Sequence, residues 1–281
     1  MRDALKYGMD LLDINDEIEK RANVELMLSE IVGCKRNELL TLDSSLDDEK
    51  LKLFESYLER RVSGEPLQYI LGETEFYGYR IKVDGNVLIP RPETEQLVER
   101  VLDDIAGSGK ESVNILEIGT GSGCISIALA KELEKKNVEC NITATDISEK
   151  ALKLAVENIS SNNARNVEVI VEDFLSIHTL DDYDYIVSNP PYISMEDFLL
   201  LDTDIKDHEP KVALTDKSDG LTFYRRMFAL LKNKTYPVKL FCEIGYDQKE
   251  KLELLLSESN ICEFKFHKDY NGIYRIMEVK V

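Results

Sequence analysis

The stretch Val113-Asn-Ile-Leu-Glu117-Ile-Gly119-Thr-Gly121-Ser-Gly123-Cys-Ile125-Ser-Ile-Ala-Leu-Ala130 decides the fold. A short apolar run over Val113 to Ile118 reads as a buried strand, three glycines form the turn, and helical spacing resumes from Ile125 to Lys136. The alternation continues downstream. Strands are expected at Cys140 to Thr145, Val167 to Val171 and Tyr185 to Ser188, with a helix from Glu149 to Ser160. A helix near Leu221 to Leu231, a strand at Val238 to Glu243, a helix near Gln248 to Leu256 and strands near Cys262 to His267 and Tyr274 to Val279 follow. Strands alternating with amphipathic helices imply an α/β fold, with helices on both faces of a parallel sheet.

Upstream the pattern differs. Residues 1–65 read as a small helical domain: Ile18, Ala22 and Leu26 fall on one stripe before Gly33, and a second helix from about Asp47 to Val62 carries Leu51, Phe54 and Leu58. From Leu67 to Pro90 short β-type runs are broken by glycines, at Tyr69 to Gly72, Phe76 to Gly78 and Tyr79 to Val83, which suggests a β-hairpin linker. Pro90-Arg-Pro-Glu-Thr-Glu95 then opens a helix, with Pro92 near the first helical position and Glu93 and Glu95 where the helix dipole favours anions. The expected organisation is a helical domain over 1–65, a linker over 66–90 and a larger domain over 91–281.

The 281 residues, 43% hydrophobic and 32% charged, suffice for two domains with a core. With 35 basic and 54 acidic side chains the net charge is −19, which disfavours nonspecific attraction to a phosphate backbone, so no stable nucleic-acid partner is expected. Lys135-Lys136, Arg225-Arg226 and Lys249 with Lys251 are flanked by acids and read as solvated helix faces. Cys34, Cys124, Cys140, Cys242 and Cys262 are scattered, with no metal-ligand spacing, so reduced thiols and no metal are expected. No run approaches the roughly 18 apolar residues of a membrane span. A cytoplasmic protein without membrane association is the expectation.

The chemistry-bearing residues follow the first four strands. They are Glu117-Ile-Gly119-Thr120-Gly121-Ser122-Gly123, then Asp146, then Glu172-Asp173-Phe174, then Asn189-Pro190-Pro191-Tyr192. In open α/β sheets ligands bind beyond the carboxyl ends of strands where the strand order reverses, so the four clusters should share a crevice. Glycines at i, i+2 and i+4 with an acid two residues earlier differ from the i, i+2, i+5 dinucleotide spacing and look like an S-adenosylmethionine loop. Asp146 suits the ribose hydroxyls, with an N-cap role as its structural alternative. Asp173 suits the adenine amino group and Phe174 the ring face, with core packing as the alternative for Phe174.

Asn189-Pro-Pro-Tyr192 is the most specific of these signals. Two prolines after a buried strand remove backbone donors and hold the turn rigid. A planar nitrogen conjugated to a carbonyl or an aromatic ring is a poor nucleophile because its lone pair is delocalised. The Asn189 side-chain oxygen and the Pro190 carbonyl offer two acceptors for its N–H groups, Tyr192 can pack on the planar group, and the methyl must lie in line at about 3 to 3.5 Å. Positioning and electrostatic preorganisation would dominate over base catalysis.

The chain resembles the HemK/PrmC-like protein-glutamine N-methyltransferases that modify peptide chain release factors. The likeness rests on Gly64-Glu-Pro66, Tyr69-Ile-Leu-Gly72, Phe76-Tyr-Gly78, Ile89-Pro-Arg-Pro-Glu-Thr-Glu95, the glycine loop, Asn189-Pro-Pro-Tyr192, Glu209-Pro210, Ala213-Leu214, Asp219-Gly-Leu221, Glu243-Ile-Gly245 and Gln248. It implies a Rossmann-like class I S-adenosylmethionine-dependent methyltransferase domain with a small N-terminal helical domain that docks substrate. It also implies S-adenosyl-L-homocysteine as product, and entry of the glutamine of a Gly-Gly-Gln loop into the Asn-Pro-Pro-Tyr pocket. Glu117, Gly119, Thr120, Gly121, Ser122, Gly123, Asp146, Asp173, Phe174 and Asn189 would contact the cofactor; Asn189, Pro190, Pro191 and Tyr192 would hold the substrate. The same motif serves methylation of an exocyclic amine of adenine or guanine in nucleic acid, or of a ribosomal-protein glutamine. A catalytically idle adaptor is a third possibility.

Overall fold

Side-chain caps or prolines mark where several of the helices begin. The computed structural model describes residues 1–42, 45–180, 183–232, 234 and 236–281. They form two units, one of residues 1–72 with 202–208 and one of residues 73–201 with 209–281.

In the first unit lie α1 (Arg2–Leu11), α2 (Glu17–Val32), α3 (Asp48–Val62) and α4 (Leu67–Leu71). Asp16 caps α2 by accepting from the Ile18 and Glu19 amides, and Asp47 caps α3 by accepting from Lys50 N. The core gathers Leu12, Val24, Met27, Leu28, Phe54 and Leu58. The stripe expected from Ile18, Ala22 and Leu26 is therefore the wrong face: Ile18 is 81% exposed, whereas Val24, Met27 and Leu28 are fully buried. Two apolar stripes compete in this window, and packing against α3 selects the second. The Tyr69 to Leu71 run, expected as extended chain, is helical. Three apolar residues have no period long enough to separate strand from helix. Segment 202–208 belongs to this unit, where Arg61 donates to Asn23 Oδ1 at 3.0 Å and reaches Asp204 Oδ2 at 3.4 Å.

The second unit opens with an antiparallel hairpin of β1 (Glu73–Phe76) and β2 (Tyr79–Lys82). Then come α5 (Pro92–Ser108), β3 (Ser112–Ile118), α6 (Cys124–Lys135), β4 (Glu139–Asp146), α7 (Glu149–Ser161), β5 (Val167–Val171) and β6 (Tyr185–Ser188). Three short helices follow, α8 (Met195–Leu200), α9 (Thr203–His208) within the first unit's segment, and α10 (Lys211–Leu214), none of which the sequence pattern announced. The chain ends with α11 (Thr222–Leu231), β7 (Lys239–Glu243), α12 (Lys249–Glu258), β8 (Glu263–Lys268) and β9 (Tyr274–Lys280).

Seven strands form one sheet in the order β5-β4-β3-β6-β7-β9-β8, with β9 antiparallel to both neighbours and the first five mutually parallel. The chain runs outward from β3 through β4 to β5, then returns to place β6 on the other side of β3. That reversal makes the β3/β6 boundary the switch point of a Rossmann-like sheet. Tyr224 and Phe228 of α11 and Leu240 of β7 are fully buried in one core, the phenylalanine and leucine each contributing about 1.5 to 3 kcal/mol. Asn158 of α7, also fully buried, exchanges hydrogen bonds with Lys82 of the hairpin and donates to Ser122 O at 2.9 Å. One side chain thus ties hairpin, helix and glycine turn together.

Candidate active site

At the carboxyl end of β3 the backbone turns through Gly119 and Gly121, with φ of 73° and 54°. A Cβ at either position would meet no heavy atom within 4 Å, so the space above the turn is open, and both glycines line a cavity of about 330 Å³. The Gly119 and Thr120 amides donate to Thr145 O at 2.9 Å each, which holds the turn against the end of β4. Thr120 and Ser122 also line the cavity, whereas Gly123 sits where an added Cβ would touch Ala155 of α7.

Glu117 lies behind the turn and is not part of the cavity wall. Its Oε2 accepts from Thr120 Oγ1 at 2.8 Å, from Ser126 N at 3.1 Å and from the Ser126 hydroxyl, while Oε1 has no partner among the described residues. Burial pushes its carboxyl up to about 7, against the opposing pull of the Ser126 and Thr120 hydrogen bonds. Its position is that of a brace for the loop.

Asp146 is on the cavity wall at the end of β4. Its Oδ2 accepts from Gly121 N and its Oδ1 from Ser148 N, both at 2.9 Å. Burial raises its pKa and these backbone donors lower it. The cap of α7 is Ser148, whose hydroxyl accepts from Ala151 N, so capping does not account for Asp146. Asp173 and Phe174 also line the cavity. Both Asp173 oxygens already accept locally, from Leu175 N at 3.0 Å and from Ser176 Oγ at 2.7 Å. Phe174 joins the apolar core and stacks on Phe223 with centroids 6.5 Å apart, so its ring packs and lines at once.

Across the cavity stand Asn189 and Pro191, just beyond β6. Asn189 Nδ2 donates to Thr94 Oγ1 at 3.2 Å, and the Thr94 hydroxyl donates to Glu243 Oε2 at 2.6 Å. The Tyr192 hydroxyl donates to the other oxygen of Glu243 at 3.2 Å. Neither Pro190 nor Tyr192 is on the cavity wall; both lie behind it. Burial raises the Glu243 pKa, opposed by the bonds from Thr94 and Tyr192 and by the Arg275 charge. Gln248 fixes the far end of the motif, donating to Tyr192 O at 2.8 Å and Gly220 O at 3.1 Å and accepting from Gly245 N at 2.9 Å. Arg91, on the cavity wall, forms an ion pair with buried Glu209.

Thr94, Glu243, Gln248 and Asn158 escaped residue-by-residue reading of function. The first three lie in strings that carry the family likeness, and that was their only signal. Lys135, Arg225, Lys249 and Lys251 each lie within 3.2 Å of a carboxylate oxygen, on Glu132, Asp219, Glu253 and Asp247 respectively. Among the described residues no group of three or more His, Cys, Asp or Glu is placed to hold a metal ion, and no helix is long and apolar enough to cross a membrane.

An open glycine turn facing an Asn-Pro-Pro-Tyr turn across one cavity is the arrangement that comparison with known proteins must explain. Residues 3–72 match the PrmC N-terminal domain model, and residues 94–201 match the methyltransferase small domain. The release factor glutamine methyltransferase of Fusobacterium nucleatum subsp. nucleatum is 39% identical over 99% of this chain and 78% of its own. This chain belongs to the release factor glutamine methyltransferase family. The family's Lactococcus lactis subsp. lactis member is 40% identical, with 88% of each chain covered. Among solved structures the hMettl16 catalytic domain superposes with a TM-score of 0.58 at 17% identity, covering 83% of this chain and 82% of that one, a likeness of fold. The match to the methyltransferase small domain runs from the first turn of α5 to the residue after α8, so it contains Thr94, the glycine turn, Asp146 and Asn189.

Proposed function

We propose that this chain transfers a methyl group from S-adenosylmethionine to the side-chain nitrogen of the glutamine in a Gly-Gly-Gln loop of peptide chain release factors, in a cytoplasmic setting. One observation carries the reading: Asn189, its amide nitrogen already engaged by Thr94, shares a cavity with the glycine turn and Asp146. The residues present fit the cofactor. Gly119 and Gly121 leave open space where any other residue would place a Cβ, Asp146 offers carboxylate lone pairs to a ribose diol, and Phe174 offers a flat apolar wall. When bound, the cofactor supplies an electrophilic methyl group on a sulfonium.

The chain's own residues do the rest. Asn189 Oδ1, which accepts from none of the described residues, takes an N–H of the glutamine amide, which draws the nitrogen's lone pair out of conjugation, while the Pro190 carbonyl, expected to take the other, belongs to a residue that does not line the cavity. Pro191 closes the cavity wall beside them, and Tyr192 supports the wall from behind through Glu243. Glu243 is committed to Thr94 and Tyr192 and is not offered as a base. The alkylated nitrogen is acidic enough to release its proton to water. Catalysis then rests on orientation and on preorganised acceptors.

The test is incubation with labelled S-adenosylmethionine and, separately, release factor, ribosomal protein and DNA, followed by mass mapping. Label on the Gly-Gly-Gln glutamine is expected. Label on adenine with none on glutamine would overturn the reading, and label confined to a ribosomal protein would redirect it.

A further inference from the structure

We propose that Thr94, with its hydroxyl proton committed to Glu243, is a positioning residue that fixes which end of the Asn189 side-chain amide faces the substrate. The proposal rests on the reading of Asn189 as the acceptor for an amide N–H.

The two ends of a primary carboxamide are nearly alike in shape and opposite in chemistry, since the oxygen only accepts and the NH₂ only donates. A half-turn of Asn189 about its last bond would fit the same space and present a donor to a substrate that is itself a donor. Shape alone cannot prevent this. Thr94 can. A hydroxyl has one proton, and here that proton lies on the 2.6 Å bond to Glu243 Oε2. Towards Asn189, 3.2 Å away, Thr94 therefore shows only a lone pair, which Nδ2 can meet and Oδ1 cannot. The Tyr192 hydroxyl donates to the other Glu243 oxygen, so each oxygen accepts a hydrogen bond, which favours the ionised carboxylate against the burial that raises its pKa. Polarity runs in one direction, from Asn189 through Thr94 to Glu243.

The three residues come from separate segments: the first turn of α5, the turn after β6 and the end of β7. Thr94 and Glu243 are each only 3% exposed. Burying a carboxylate to hold two hydroxyls is costly, and apolar side chains of similar volume would pack as well, so the distinctive contribution of the polar Thr94–Glu243 pair is direction.

Thr94→Val keeps the shape and removes the hydroxyl; Thr94→Ser keeps the hydroxyl. With release factor as substrate, Thr94→Val is expected to lower kcat about 10- to 100-fold, the range typical of residues that support a contacting group, with KM changed less than about 3-fold. Thr94→Ser should restore kcat to within about 3-fold of the parent, since it returns the one feature, a hydroxyl, that the direction of the chain requires. A second reading needs no activity: in ¹⁵N-labelled protein the Asn189 side-chain NH₂ should exchange slowly in the parent and in Thr94→Ser, and faster in Thr94→Val. Unchanged kcat and exchange in Thr94→Val would overturn the proposal. Equal impairment of the Ser and Val variants would do so too, because packing rather than the hydroxyl would then be at stake. If the parent methylates no glutamine, the functional reading fails while the exchange measurement still decides the orientation of Asn189.

Discussion

Glu117 and Glu243 occupy similar places, near the carboxyl ends of two parallel strands and almost wholly out of water, yet they support opposite walls of the cavity in different ways. Glu117 gathers three donors on one oxygen and leaves the other without a partner, and what it organises is backbone, the turn that carries Gly119 and Gly121. Glu243 receives one hydroxyl on each oxygen, and what it organises is a side chain, Asn189, through Thr94. The loop wall thus depends on a backbone shape that glycine permits. The asparagine wall depends on the direction of a hydrogen-bond chain. Damage to the first should weaken ligand binding, and damage to the second should spare binding and slow transfer.

The largest expected effect comes from Asn189→Ala, which removes an acceptor aimed at the reacting group. Transfer should fall by about 10² to 10³-fold, while cofactor affinity measured by calorimetry should move much less. An equal loss in both would mean the walls are not separable.

Next is the titration of Glu117. Its folded pKa of about 7 lies above the ordinary 4.5, so between those values the folded chain holds a proton that the unfolded chain has released. The residue's contribution to stability is therefore greatest below pH 4.5 and declines as pH rises to about 7, by about 3 kcal/mol at 1.36 kcal/mol per unit. Denaturant unfolding from pH 5 to 8 should show Glu117→Gln gaining on the parent as pH rises; parallel curves would show that the buried carboxyl does not titrate in this window.

Gly220→Ala should cost about 2 kcal/mol or more of stability. Gly220 has a φ of 79°, and a Cβ there would lie 2.3 Å from Tyr192 O, pressing on the asparagine wall. Transfer should suffer with it, whereas Gly121→Ala, which projects into open space, should act on cofactor binding. A Gly220→Ala protein with an unchanged melting temperature would contradict this. The smallest effect is Asp146→Asn, which weakens a charged acceptor while keeping its shape: cofactor affinity should fall about 10-fold, or 1.4 kcal/mol. Transfer at saturating cofactor should stay close to the parent's, and a large drop there would assign Asp146 to the other wall.

Much of the sheet was legible along the chain. The strands from β3 to β6 begin and end within a residue of the expected spans, because β-branched runs bounded by turns are a local signal. Failures came where local patterns are degenerate. Ile18 and Leu26 share helical spacing with Val24 and Met27, and only contact with the rest of the unit decides which stripe is buried. The run at Tyr69 to Leu71 was too short to carry a period. Between Met195 and Leu214 three brief helices lack the length that makes amphipathicity visible. At the site, Gly119, Gly121, Asp146, Phe174 and Asn189 meet around one cavity as strand-end logic expects, while Glu117, Pro190 and Tyr192 lie behind its walls.

By itself the sequence determined an α/β alternation, the order of chemical groups at the strand ends and the two rigid turns, since each depends on residues a few positions apart. Tertiary structure alone decided how those groups are held. Thr94 and Glu243 are 149 positions apart, Asn189 and Thr94 are 95, and no spacing rule joins them. Their alignment exists because α5, β6 and β7 pack around one core, and only in that packing does a threonine proton acquire a direction that reaches the substrate.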